Sequence, residues 1–357
     1  MTTTEAAVTT SKRRIDYQTL EVPQPSPGHA VVRMHTVTLC GTDAHIWDDD
    51  YASELPMIQG HEASGVIAEL DAADVQSGWN VGDPVVILPM FWCGECHACS
   101  IGRVNACRRM SVYGCYEDGS LVTEQLVPLD HLYRVPEGID LGVAALVEPI
   151  SIAMQACRRG QPVAGERVVV AGAGPIGLLA TVYLKDIGCD VTVTDTQDAR
   201  LDLAREFGAD RAMKVLGAFP NDEQRSVLDE LTDGDGPSLI IDATGVPASV
   251  AGGIDLVATA GRVVCVGISE AELSFSMRRL PTKEIDLLGS RNSENLFPDC
   301  LDLLWRYQRT LAKLITHRFH FHDLDAAFRT LIDPSAGVGK IAIDFPDLSE
   351  REKRSES

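Results

Sequence analysis

The stretch RVVVAGAGPIGLLATVYLKDIG, from Arg167 to Gly188, constrains the fold more than any other part of the chain. An apolar run ends in a glycine-rich turn, and a helical pattern begins at once, which is the signature of a strand-turn-helix unit. Gly172, Gly174 and Gly177 keep the G-x-G-x-x-G spacing, with Pro175 and Ile176 inside it. Such glycines let the backbone turn tightly and approach a pyrophosphate at the helix N-terminus, where unpaired N–H groups and the helix dipole favour negative charge. A glycine-rich turn without a ligand is the plainer alternative. The next strand, VTVTD, ends in Asp195, about where a ribose-reading carboxylate belongs. That acid accepts hydrogen bonds from ribose hydroxyls and repels a 2′-phosphate, so NAD is expected rather than NADP. Arg200 is grouped with the cofactor residues, although its guanidinium could also hold a phosphate, and Asp195 could instead cap the following helix.

The surroundings extend this unit into a domain. RVVVAG, DVTVTD, RAMKV, SLIIDATG, RVVCVG and IDLLGS are buried-strand runs, most of them separated by helix-length segments. Alternating strands and helices of this kind predict α/β architecture, a doubly wound parallel sheet covered on both faces. The N-terminal part differs: HAVVRMHTV, GVIAEL and DPVVIL are short β-type runs between turn residues, with no helical period. With 357 residues the chain also exceeds what one core usually fills, so two domains are expected. After Ser290 the pattern breaks, and LFPDCLDLLWRYQ followed by LITHRFHFHDLDAAFRTLI fits either the end of the second domain or a return to the first. The charged end DLSEREKRSES is expected to be frayed and solvated.

A net charge of −21 argues against nucleic acid and anionic membrane as partners. The longest uncharged stretch, Val168 to Leu184, is short and glycine-broken for a membrane span, and MTTTEAAVTTSKRR lacks the apolar core of a secretory signal. A cytoplasmic location is the expectation. Ten cysteines in such a chain point to metal sites before disulfides.

CGECHACSIGRVNAC places Cys93, Cys96, Cys99 and Cys107 in one loop. Four thiolates at this spacing can converge on Zn²⁺ in a closed, structural site. A four-iron cluster would use a shorter final spacing followed by proline, while substitution of His97 for one thiol and disulfides remain alternatives. A closed site leaves no position for substrate, so any catalytic metal must lie elsewhere. Cys40 in TVTLCGTDAHIW, His61 and Glu62 in GHEASG, and Glu148 in LVEPIS together offer a thiolate, an imidazole and carboxylates, the donors of a catalytic zinc. Taken singly, Cys40 is apolar filler, His61 a loop histidine and Glu148 a surface acid or cap. Their company gives them weight.

The order of these motifs, Cys-Gly-Thr-Asp-x-His, Gly-His-Glu, the four-cysteine loop, Glu-Pro and Gly-x-Gly-x-x-Gly, resembles the zinc-containing medium-chain dehydrogenases, in the branch holding sorbitol and threonine dehydrogenases. The resemblance covers nearly the whole chain. It implies a GroES-like catalytic domain over 1–152, a Rossmann domain over 153–290, and a segment 291–357 returning to the catalytic domain. It also implies Cys40 and His61 as zinc ligands, Glu62 and Glu148 coordinating directly or through water, and Thr42 and His45 as a proton relay. Arg291 falls where the polyol branch has an arginine near the substrate cleft, and it is grouped with the cofactor residues; pairing with surface acids is the alternative. The implied reaction passes a hydride between a polyol, sugar or cyclitol alcohol and NAD, in a homodimer or homotetramer. A threonine-type 3-hydroxy amino acid is the rival substrate, and a non-catalytic zinc-stabilised NAD(H)-binding protein or a zinc-free quinone reductase relative are the rival classes. Asp43 has no assignment, and His317, His320 and His322 fit strand alternation better than a metal site.

Overall fold

The computed structural model describes residues 3–346 apart from Pro23, Ser77 and Ala218, so the charged end DLSEREKRSES lies outside the described residues. The chain divides into two compact units: one combines residues up to Glu148 with those from Phe297 onward, and the other is Pro149–Leu296.

The first unit is β-rich. It opens with β1 (Thr3–Ser11) and β2 (Arg14–Glu21), then β3 (His29–Leu39), helix α1 (Gly41–Trp47), β4 (Met57–Ile58), β5 (Glu62–Leu70) and β6 (Pro84–Ile87). A loop carrying β7 (Met90–Phe91), α2 (His97–Ser100) and β8 (Ser111–Val112) precedes β9 (Glu124–Pro128), β10 (Leu132–Arg134), α3 (Leu141–Ala144) and α4 (Val147–Gly160), which runs on into the second unit. Eight of the eleven residues of β3 are buried, because the strand has neighbours along its length. β5 pairs with it antiparallel, with Thr38 opposite Glu62.

The second unit contains β11 (Arg167–Ala171), α5 (Pro175–Ile187), β12 (Asp190–Asp195), α6 (Asp198–Glu206), β13 (Arg211–Lys214), α7 (Asp222–Leu231), β14 (Leu239–Asp242), α8 (Pro247–Leu256), β15 (Arg262–Cys265), α9 (Arg279–Lys283) and β16 (Asp286–Gly289). The six strands are all parallel, in the order β13-β12-β11-β14-β15-β16. That is a doubly wound sheet whose order reverses beside β11, and ligands of such sheets bind beyond the strand ends at the reversal.

From α10 (Phe297–Leu311) the chain rejoins the first unit, through β17 (Ile315–His320), α11 (Leu324–Leu331) and β18 (Lys340–Asp344). β18 pairs antiparallel with the end of β3, Ile341 opposite Leu39, and parallel with β17. Trp47 of α1 is fully buried and stacks on Phe328 of α11, with ring centroids 5.3 Å apart. The N-terminal region, whose sequence shows no helical period, nonetheless forms the short helix α1. Asp43 at its third position accepts from the Cys40 backbone N–H at 2.8 Å, closing a reciprocal cap on a helix of only seven residues. Two turns are too few for a readable period, and a cysteine stands where serine or threonine usually caps.

Candidate metal and cofactor sites

Two segments of the first unit bring the mixed donors together. Cys40 follows β3 and caps α1, while His61 and Glu62 lead into β5, the strand hydrogen-bonded to β3. Cys40 Sγ, a His61 ring nitrogen and a Glu62 carboxylate oxygen all lie within 4.8 Å of one another. His61 and Glu62 are buried and Cys40 is partly so. A thiol, an imidazole and a carboxylate in this arrangement fit a zinc ion with an open position.

The neighbours of these donors carry the electrostatics. Asp43 has no exposed surface, and its second oxygen accepts from the Gly60 backbone N–H at 3.3 Å and lies 3.7 Å from His61 Nδ1. Asp43 therefore ties the segment bearing Cys40 to the segment bearing His61. Burial raises its carboxyl above the usual range, against the opposing pull of His61 and the Cys40 N–H. Cys115 Sγ sits 3.7 Å from His61 Nδ1. Burial alone would lower His61, but Cys115 and Asp43 outweigh it and hold the imidazole well above its ordinary value.

Glu62 is held at both oxygens, by Thr38 Oγ1 and by the ammonium of Lys340. Lys340 is 3% exposed and also donates to the Leu39 carbonyl at 3.3 Å. Burial disfavours its charge, and Glu62 and Cys40 more than restore it. Glu148, at the start of α4, lies close enough to be influenced by His61, Glu62, Lys340 and Asp43. Burial pushes its carboxyl up to about 7, and among the charges His61 opposes that rise while Glu62 adds to it. Thr42 Oγ1 is 3.9 Å from Cys40 Sγ. His45, one turn further along α1, is exposed, and its Nδ1 meets Asp50 at 3.0 Å.

Sequence reasoning singled out Cys40, His61, Glu62 and Glu148 but missed Thr38, Cys115 and Lys340, and left Asp43 without a role. The C-x-x-D cap was the available signal for Asp43. For Lys340 it was a cation opening the apolar strand run KIAI.

The four-cysteine loop forms the second cluster, with Cys93, Cys96, Cys99 and Cys107 mutually within 4.8 Å. Four of the sulfur pairs are separated by 3.5, 3.5, 3.9 and 4.0 Å. A tetrahedron with Zn–S bonds of about 2.3 Å has edges of about 3.8 Å, so the loop fits the ion closely. Backbone N–H groups of Cys93 and Arg109 both donate to Cys107 Sγ at 3.3 Å. The Glu95 backbone N–H is the main cause that lowers the Cys93 thiol to about 6, against a smaller opposing effect of burial. Backbone N–H groups of Arg108 and Cys99 lower the Cys96 thiol as well, whereas burial and the neighbouring Cys96 push Cys99 up to about 12.

In the second unit, a cavity of about 330 Å³ opens beyond the ends of β11, β12, β13 and β14. Gly172, Gly174, Asp195, Arg200 and Thr244 are among its lining residues. A Cβ on Gly177 would stand 1.8 Å from the Gly172 carbonyl oxygen, so only glycine permits α5 to start so near the turn. A Cβ on Gly174 would meet no atom within 4 Å beyond its own chain neighbours, leaving open space at the helix N-terminus. This is the cradle a pyrophosphate requires. Asp195 is 8% exposed, and its oxygens accept from the backbone N–H groups of Ala173 and Gln197 at 2.8 and 2.9 Å. Arg200 approaches it at 3.9 Å. Pro175 opens α5 and Ile176 follows, and neither is among the described lining residues. Arg291 is exposed two residues past β16 and likewise lines no part of that cavity as described.

Two family models match the chain: the alcohol dehydrogenase GroES-like domain over residues 26–137 and the zinc-binding dehydrogenase domain over residues 175–306. The starvation-sensing protein RspB of Escherichia coli K12 is 35% identical, across 92% of this chain and 95% of its own length. Sorbitol dehydrogenase of Pongo abelii is 32% identical, across 87% of both. The crystal structure of the E. coli CFT073 rspB protein, described as a short chain alcohol dehydrogenase complexed with NADH, superposes with a TM-score of 0.86. That likeness is 30% identical and covers 96% of this chain and 99% of the other.

Proposed function

The chain belongs to the zinc-containing medium-chain alcohol dehydrogenases, in the branch that includes sorbitol dehydrogenase, and on that premise we propose its substrate and the work of its residues. The enzyme is a zinc-dependent oxidoreductase acting on CH–OH groups with a nicotinamide cofactor. Its substrate is a secondary alcohol of a polyol, sugar or cyclitol, interconverted with the ketone, and its cofactor is NAD. The observation that carries this reading is the buried convergence of Cys40, His61 and Glu62 beside a separate, closed cluster of four cysteines.

Cys40, His61 and Glu62 would hold the catalytic zinc, Glu148 would join or replace Glu62, and Cys93, Cys96, Cys99 and Cys107 would hold a structural zinc. Bound there, the catalytic ion would supply Lewis acidity to the substrate hydroxyl, and NAD held at the glycine turn would supply the hydride acceptor. Asp43 fixes the spacing between Cys40 and His61 through its bond to the Cys40 N–H and its approach to His61. Lys340 offsets the negative charge that Cys40, Glu62, Asp43 and Glu148 accumulate in a buried volume. Thr42 is a hydroxyl that can accept the substrate proton and pass one on, and exposed His45 is the exit to solvent. Asp195 accepts the ribose hydroxyls, and Gly172, Gly174 and Gly177 shape the pyrophosphate turn, with Pro175 and Ile176 starting the helix behind it. Arg200, which lines the cavity beside Asp195, completes the cofactor side. The assembly is a homodimer or homotetramer working in the cytoplasm, with a small alcohol or ketone as partner.

The test is NADH formation with sorbitol, xylitol, inositols and threonine side by side, repeated with NADP⁺. Turnover of one or more polyols with NAD⁺ is the expected result. Turnover of threonine alone would replace the substrate assignment, and a preference for NADP⁺ would overturn the role given to Asp195.

A further inference from the structure

The histidines near the C-terminal end of the first unit separate into two groups. His317 Nδ1 is engaged by its neighbour Thr316 at 2.8 Å. His320 and His322, at the end of β17 and in the turn after it, face each other with their Nδ1 atoms 3.3 Å apart. Two neutral imidazole lone pairs at that distance repel unless a proton or a metal ion lies between them. His322 Nε2 is 3.0 Å from Glu5 Oε2 on β1. A carboxylate at Nε2 places the ring proton there and leaves Nδ1 as the donor atom, the arrangement that orients histidines around metals.

We propose that the Nδ1 atoms of His320 and His322 form a binding site for a transition-metal ion of the imidazole-preferring class, Zn²⁺ or Cu²⁺, separate from the two cysteine-containing clusters. Two metal–nitrogen bonds of about 2.0–2.1 Å that span the observed 3.3 Å enclose about 107°, close to the tetrahedral angle. The His322 ring is held before any ion arrives. Tyr17 packs against His322 with ring centroids 5.3 Å apart and anchors the turn by donating to the Phe321 carbonyl at 2.8 Å. The His322 backbone N–H donates to His320 Nδ1 at 3.4 Å, a long bond that the ion displaces. The His322 side chain is 25% exposed, so an ion and the water completing its coordination have access.

The site stands independently of the polyol reading and is tested on the zinc-loaded, full-length protein. Substoichiometric Cu²⁺ is added and followed by electron paramagnetic resonance, and Zn²⁺ uptake beyond the two cysteine sites is followed by equilibrium dialysis. The expected result is one additional ion per chain in the micromolar range, with nitrogen couplings on the copper signal. His322→Ala and His320→Gln should each abolish that binding, while polyol turnover and the zinc of the two cysteine clusters stay unchanged. Glu5→Gln should weaken it by about 10–100-fold, the usual cost of losing a partner behind a metal-binding histidine. The two histidine variants guard against a folding defect in either one. The proposal is overturned if the wild-type protein takes up no additional ion, or if uptake and the nitrogen couplings survive both histidine substitutions.

Discussion

The two cysteine-containing clusters of the first unit solve the same problem by opposite routes. Cys93, Cys96, Cys99 and Cys107 lie within one loop, and their backbone supplies the hydrogen bonds that suit thiolates. Cys40, His61 and Glu62 are gathered from two strands, and they depend on Asp43, Thr38 and Lys340 to stay in place. A closed site needs only four equivalent sulfurs at tetrahedral spacing. An open site must hold fewer donors in place while leaving room for substrate, so it needs outside support for each donor and a balance of charge. Stability is expected to concentrate in the loop and chemistry in the strand-borne cluster.

The sharpest way to break that contrast is Cys40→Ser, which should remove nearly all turnover while thermal unfolding shifts little. Cys96→Ser should do the reverse, lowering stability by about 4 kcal/mol through loss of a bound metal, with kcat per folded molecule close to wild type. Equal damage to turnover in both variants would erase the distinction. Lys340→Met follows at about 3 kcal/mol, because it leaves the buried Glu62 carboxylate without its counter-charge; denaturant unfolding reads this directly. Asp43→Asn keeps the shape but weakens the tie between Cys40 and His61, and should reduce zinc affinity or kcat/KM by about 10–100-fold.

A pH-dependent effect concerns Glu148 in the zinc-stripped protein. Its carboxyl is raised from 4.5 to about 7 in the folded state. The folded protein then binds the Glu148 proton more tightly than the unfolded chain, and that contribution is complete below about pH 4.5 and lost as pH rises through about 7. Urea unfolding of Glu148→Gln against wild type should therefore show a difference that moves in favour of the variant across this window and is flat above it. A pH-independent difference would contradict the burial argument.

What was legible in the sequence was local. The glycine turn and the four-cysteine loop each sit within one short segment, so spacing alone carries their geometry. HRFHFH has the alternation of a strand, and its first four residues lie in β17. The pairing of Lys340 with Glu62 spans 278 residues and exists only because β18 lands beside the end of β3. Cys115 reaches His61 by a comparable accident of folding, from a loop 54 residues away. Asp43 lay in plain view, yet its role required α1, a helix too short to show a period. Residue type picked out the candidate donors of the open site, whereas the groups packed around them came from topology.

Zinc content of wild type and Cys40→Ser, measured per folded chain by atomic emission after exhaustive dialysis without chelator, tests the central claim most directly. The account predicts two zinc ions in the wild-type chain and one in the variant, the survivor remaining with the four-cysteine loop. Equal zinc content in the two proteins would contradict it.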